Sequence, residues 1–132
     1  MDEEPMSATI LVADDEPDIV YLVARRLTKS GYRVITATTG EEALQMARSR
    51  MPDLALLDVM MPKLTGIEVS RLLRAAPETH PMRVILMSAG LFDDLNISAV
   101  ADAFIAKPFR PLELPALLQE VLARTPRGAL IQ

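Results

Sequence analysis

Five polar residues follow apolar runs at four places in the chain, and their types suit phosphoryl chemistry. Asp14 and Asp15 follow TILVA, Asp58 ends LALLD, Ser88 follows VILM, and Lys107 ends AFIAK. Three carboxylates placed together repel one another, and one lysine cannot neutralise them all. A hard cation such as Mg²⁺ can, since it favours carboxylate ligands and also takes phosphate oxygens. A metal and a lysine beside one carboxylate favour phosphoryl transfer, with the aspartate as nucleophile.

These residues meet only if the apolar runs are strands of one sheet. Apolar runs alternate with amphipathic stretches along the chain, which predicts repeated strand–helix units. The predicted strands are Thr9–Ala13, Arg33–Ala37, Leu54–Val59, Arg83–Ala89 and Ala103–Lys107. Such units predict an α/β fold: a flavodoxin-like, doubly wound, five-stranded parallel sheet in the order 2-1-3-4-5 with five helices. Ligands bind such sheets beyond the carboxyl ends of the strands.

Local signals mark the ends of the predicted helices. Gly31 follows the first amphipathic stretch at a C-cap position, and Thr39 and Glu42 open the second at capping-box spacing. The fourth helix, over residues 91–100, is expected to be weak because LFDDLNISAV contains poor helix formers. The last helix is expected to begin near Pro111.

Composition limits the function classes. The chain has 132 residues, a net charge of −4 and no cysteine. The acidic balance argues against direct nucleic-acid binding, and the lack of cysteine excludes disulfide and thiolate chemistry. No apolar run approaches the ~20 residues of a membrane span, so a cytoplasmic protein is expected. We expect one domain over residues 8–124, with an N-terminal extension at 1–7 and a tail at 125–132.

Four motifs taken together identify a family. LVADDE, LLDVMMP…GIE, ILMSA and AKPF, in this order and spacing, resemble the receiver domain of two-component response regulators over residues 8–124. The resemblance implies that Asp58 is the phosphoacceptor. It also implies that Asp15 is a direct ligand of Mg²⁺, with Mn²⁺ as the alternative ion, while Asp14 acts largely through water and the Met60 backbone carbonyl completes the site.

The resemblance also implies a switch. Ser88 and Lys107 would bind phosphoryl oxygens, Ser88 and Phe104 would change position on phosphorylation, and the Lys107–Pro108 peptide bond would be cis. The phosphoryl group would come from a sensor histidine kinase or a histidine phosphotransfer protein. The signal would leave by the surface around the fourth helix, fifth strand and fifth helix. Apart from its own phosphorylation and dephosphorylation, no enzymatic activity is implied; the downstream target is unknown, and a homodimer stays open.

Other interpretations compete with this one. Each aspartate alone could be a helix cap or turn former. A haloacid-dehalogenase-like phosphatase needs similar groups but places its nucleophile after strand one, where ADDEPD lacks the Asp-x-Asp pattern. An adaptor with a vestigial site would not need the intact set. His80 is expected to be a solvated loop residue. The family pattern is broken at VADAF and by a short interval from Ser88 to Lys107, which leaves partner choice and dimer mode open.

Overall fold

The strands lie where the apolar runs predict them, because a parallel sheet covered on both faces buries the side chains of its central strands. The computed structural model describes residues 7–89 and 97–124. The strands β1 to β5 are Thr9–Ala13, Arg33–Ala37, Leu54–Asp58, Arg83–Ser88 and Ala103–Ala106. All neighbouring pairs are parallel, in the order β2-β1-β3-β4-β5. The predicted flavodoxin-like sheet is confirmed.

Helices connect the strands and cover both faces of the sheet. The helices α1 to α5 are Pro17–Lys29, Gly40–Arg50, Gly66–Ala75, Ile97–Val100 and Leu114–Ala123, and a turn of 3-10 helix at Pro111–Glu113 precedes the last. Residues 91–96 of the fourth helix predicted over 91–100 lie outside the described residues, as does residue 90. No helix in the described ranges is long and apolar enough to cross a membrane.

Capping explains where several helices begin and end. Gly31, just beyond α1, has φ of +100°, a conformation that favours glycine. The capping box predicted at Thr39 is only half formed: Thr39 accepts from the Glu42 amide, but the Glu42 carboxylate accepts from the Thr38 amide instead. A complete box opens α3, between Thr65 and Glu68.

Two apolar layers hold the sheet in place. One contains side chains of α2 and α3 and the other contains side chains of α1 and α5. The helix residues in these layers are Ala43, Ala47, Val69 and Leu73 on the first face, and Val20, Val23, Leu27, Leu114, Leu118 and Val121 on the second. Every residue of β3 is buried, so Asp58 ends a strand that the core fixes on both sides.

Strand register brings the polar residues to one edge. Ala13 pairs with Leu57, Asp58 with Met87, and Ser88 with Ala106. The residues that follow these pairs therefore leave the sheet side by side. The first turn of α3 packs closely against this edge. A Cβ added at Gly66 would lie only 2.3 Å from the Asp58 carbonyl oxygen. Only glycine allows so close an approach.

Candidate functional site

Three carboxylates converge at the carboxyl edge of the sheet. Asp14 follows β1 and is fully buried, Asp58 ends β3 and is 3% exposed, and Asp15 faces solvent. One oxygen from each of the three lies within 4.8 Å of the others. Oxygen ligands at this spacing, with no histidine or cysteine among them, fit a hard cation such as Mg²⁺ rather than zinc.

Lys107 reaches the same carboxylates from the end of β5. Its Nζ lies 2.7 Å from Asp14 Oδ2 and 3.4 Å from Asp58 Oδ2, and its side chain is 15% exposed. Asp14 also accepts a hydrogen bond from the Glu16 amide at 2.9 Å. One ammonium thus shields two buried carboxylates, and negative charge remains in excess.

The ionisation of the site reflects that excess. Burial, followed by repulsion from Asp14, raises the pKa of Asp58 from 3.8 to about 6, and these effects outweigh the attraction of Lys107. Burial opposes the charged form of Lys107, but its hydrogen bond to Asp14 and the attraction of both buried carboxylates outweigh burial and raise its pKa. Lys107 therefore stays charged at neutral pH. Asp58 is mostly ionised at that pH, although its surroundings disfavour the charge.

The other predicted site residues lie at the same edge or beside it. Ser88 is buried at the end of β4, and its carbonyl accepts from the Lys107 amide at 2.7 Å. The Met60 amide donates weakly to Asp58 Oδ1 at 3.4 Å, and its side chain is exposed. The Lys107–Pro108 bond is cis. Phe104 lies on β5, with 55% of its surface exposed.

Sequence reasoning missed one residue at this site. Glu16 follows the acidic pair, and its Oε1 lies 3.5 Å from Lys107 Nζ. The signal was present as the third acid in ADDE, but nothing in the sequence shows that a residue three positions past one strand turns toward a lysine at the end of another.

Sequence reasoning also missed a polar network at the opposite, amino edge of the sheet. The Arg74 guanidinium donates to the carbonyls of His80 and Val100 and lies 3.8 Å from Asp102 Oδ2. His80 is half-buried, and its Nδ1 lies 2.8 Å from the Arg74 carbonyl oxygen. The expectation of a solvated His80 was wrong, because its loop folds back on the end of α3.

Comparison with known proteins gives one consistent family. Residues 10–119 match the response regulator receiver domain. The chain is 45% identical over 121 residues to the alkaline phosphatase synthesis transcriptional regulatory protein PhoP of Bacillus subtilis, covering 91% of this chain and 50% of PhoP. It is 39% identical over 123 residues to the phosphate regulon transcriptional regulatory protein PhoB of Pseudomonas aeruginosa, covering 91% of this chain and 54% of PhoB. The chain thus spans about half the length of the curated relatives it matches.

Solved structures have the same fold. The chemotaxis response regulator CheY4 of Vibrio cholerae aligns with a TM-score of 0.82 at 31% identity, covering 88% of this chain and 99% of that one. The receiver domain of a sensor histidine kinase of Pseudomonas aeruginosa aligns with a TM-score of 0.81 at 26% identity, covering 89% of this chain and 99% of that one. The latter structure holds a magnesium ion in its active-site cleft.

Proposed function

Because the chain belongs to the response regulator receiver domain family, we propose that it is a phosphoacceptor switch in which Asp58 takes a phosphoryl group from a sensor histidine kinase or a histidine phosphotransfer protein. The observation that carries the assignment is the position of Asp58. It is a buried carboxylate at the end of a core strand, with a lysine ammonium 3.4 Å away and two further carboxylates within reach of a shared cation.

The reaction forms an acyl phosphate. A carboxylate oxygen of Asp58 attacks phosphorus, the bond between phosphorus and the donor nitrogen breaks, and the electron pair of that bond stays on the donor imidazole. The Lys107 ammonium pairs with a phosphoryl oxygen, and the Ser88 hydroxyl donates to another. Hydrolysis of the acyl phosphate then restores the Asp58 carboxylate and releases inorganic phosphate.

A divalent cation belongs to this chemistry, and the residues fit one. Asp14, Asp15, Asp58 and the Met60 backbone carbonyl would hold Mg²⁺ or Mn²⁺, and Lys107 alone cannot balance the three carboxylates. When bound, the ion supplies positive charge to the oxygens of the transferring phosphoryl group. The raised pKa of Asp58 supports this assignment. Lys107 alone does not offset burial and the repulsion from Asp14, so ionised Asp58 lacks the positive charge that a bound cation would supply.

The output is a change of surface. Ser88 and Phe104 are the proposed switch residues: Ser88 moves toward the phosphoryl group, and Phe104 turns inward from its exposed position on β5. The changed surface lies around α4, β5 and α5 and binds a downstream protein. We place the chain in the cytoplasm, where kinase and target would meet it, and assign residues 8–124 to the receiver.

Phosphorylation by a small donor tests the proposal. Intact mass after incubation with acetyl phosphate should show one added phosphoryl group with Mg²⁺ and none with a chelator. Asp58→Asn should abolish the addition, and Asp18→Asn, an exposed acid in the first turn of α1, should not. Addition that persists in Asp58→Asn, or turnover of a generic phosphate ester, would contradict the assignment.

The division of roles between metal ligand and lysine has its own test. Asp15→Asn should weaken Mg²⁺ binding directly, because it removes a ligand oxygen. Lys107→Ala should leave Mg²⁺ binding at least as strong as in wild type, because carboxylates hold the ion, while weakening the structural response to phosphorylation. A metal titration that ranked the two variants the other way round would reverse these roles.

A further inference from the structure

Glu16 stands between the end of β1 and the first turn of α1, where a side chain usually caps the helix. It occupies the N-cap position, and its carbonyl accepts from the amides of Ile19 and Val20. Its carboxylate makes no capping hydrogen bond. The side chain instead turns toward the acidic site, where Oε1 lies 3.5 Å from Lys107 Nζ.

Lys107 therefore has three carboxylate partners of different kinds. Asp14 is nearest at 2.7 Å and fully buried, Asp58 follows at 3.4 Å, and Glu16 lies at the solvent-exposed rim with 65% of its side chain accessible. The first two belong to the carboxylate cluster that fits a cation, whereas Glu16 does not. A cation in that cluster would compete with Lys107 for Asp14 and Asp58, but not for Glu16.

The backbone of Glu16 is tied to the same site. Its amide donates to Asp14 Oδ1 at 2.9 Å, so the residue that contacts Lys107 through its side chain also fixes the orientation of Asp14. Replacement of the side chain alone leaves this backbone hydrogen bond in place. The two contributions of Glu16 can therefore be separated by substitution.

We propose that Glu16 is a positioning residue that holds the Lys107 ammonium at the rim of the site when a divalent cation engages Asp14. This rests on the proposed function, in which the Lys107 ammonium pairs with a phosphoryl oxygen. To do so, it must leave the carboxylates that it contacts in the metal-free site. Without the Glu16 carboxylate, Lys107 has only Asp14 and Asp58 as partners among these acids, so it competes more strongly with the cation. Glu16→Gln should weaken Mg²⁺ binding through Lys107.

Calorimetric titration of the whole chain with Mg²⁺ tests this. Glu16→Gln should weaken binding by about two- to fivefold, the range expected when one exposed ion pair is lost. Asp18→Asn is the matched control, since it removes an exposed acid from the next turn with no contact to Lys107 among the described ion pairs. Asp18→Asn should change the dissociation constant for Mg²⁺ by less than about 1.5-fold, because solvent and salt screen a charge that makes no contact at the site.

The decisive comparison removes Lys107. In Lys107→Met and Lys107→Gln backgrounds, Glu16→Gln should have no larger effect on Mg²⁺ binding than Asp18→Asn has.

The position of the Lys107 ammonium can also be tested without metal. In the metal-free protein with Lys107 intact, Glu16→Gln should slow labelling of the Lys107 amine by an acylating reagent, because the ammonium then lies deeper between Asp14 and Asp58.

An equal effect of Glu16→Gln with and without Lys107 would show that Glu16 acts on the cation by its charge alone and would overturn the proposal. Unchanged binding with Lys107 intact, or unchanged labelling, would overturn it as well. None of these measurements uses phosphorylation, whereas the proposed function is tested by phosphorylation with acetyl phosphate in wild type and Asp58→Asn, so failure of one can be told from failure of the other.

Discussion

The metal-free protein should become more stable when Asp58 is replaced by asparagine. The pKa of Asp58 is about 6 in the folded protein against 3.8 for the free side chain, because burial and Asp14 disfavour its charge. The folded state therefore binds more protons than the unfolded state between these two values. The contribution of Asp58 to the free energy of unfolding is therefore fully present below about pH 3.8. It falls as the pH rises and levels off above about pH 6.

The size of the effect follows from the shift. A difference of about two pKa units corresponds to about 3 kcal/mol of unfolding free energy at about pH 7.5. At about pH 4 the corresponding cost is less than about 1 kcal/mol, since Asp58 is then largely protonated in the folded state. An asparagine side chain at this position would resemble the protonated carboxyl group in shape and would carry no charge. Asp58→Asn should therefore stabilise the protein by up to about 3 kcal/mol at about pH 7.5 and by little at about pH 4.

Urea unfolding followed by circular dichroism, with a chelator present, measures this directly. The control is Asp18→Asn, which removes a charge from an exposed position and should change stability by no more than about 0.5 kcal/mol. Excess Mg²⁺ should reduce or reverse the advantage of Asp58→Asn, because a bound cation stabilises the wild-type site. An Asp58→Asn variant no more stable than wild type at about pH 7.5, or equally stabilised at both pH values, would refute the electrostatic account of this site.

Two further substitutions test how the fold supports the site. Gly66→Ala should destabilise the protein by roughly 1–3 kcal/mol and weaken Mg²⁺ binding, because its Cβ would press on the Asp58 carbonyl; calorimetry and urea unfolding check both. A variant with normal stability and normal metal binding would contradict the close packing described at β3. Arg74→Met should cost roughly 2–4 kcal/mol in urea unfolding, because it leaves the carbonyls of His80 and Val100 and the Asp102 carboxylate without the guanidinium. Arg71→Met, on the exposed face of the same helix, should be nearly neutral, and equal losses in the two variants would rule out the network as the cause.

The sheet could be predicted from the sequence because each strand is a short apolar run bounded by polar residues. The run LALLD is buried throughout, as a central parallel strand must be, and its carboxyl end meets the ends of β1 and β4 by register alone. The convergence of Asp14, Asp15 and Asp58 follows from that topology. The same residues also carry the family resemblance, so two lines of reasoning led to one edge.

What the sequence could not provide were contacts that depend on where a long side chain turns. Glu16 and Lys107 are far apart in the chain, and no spacing rule connects a helix N-cap with the end of the last strand. The choice of Thr38 rather than Thr39 by the Glu42 carboxylate is a matter of backbone geometry within one turn. His80 and Arg74 meet because the loop between α3 and β4 folds back, which periodicity does not predict.

The residue that carries the phosphoryl group can be identified chemically. The protein would be phosphorylated with acetyl phosphate and Mg²⁺, and the acyl phosphate would be reduced with borohydride, which converts a phosphorylated aspartate to homoserine. Peptide mass spectrometry would then locate the converted residue. We expect homoserine at position 58 alone, and none when the phosphoryl donor is omitted. Homoserine at position 14 or 15, or a stable phosphate on Ser88 with Asp58 unmodified, would contradict it.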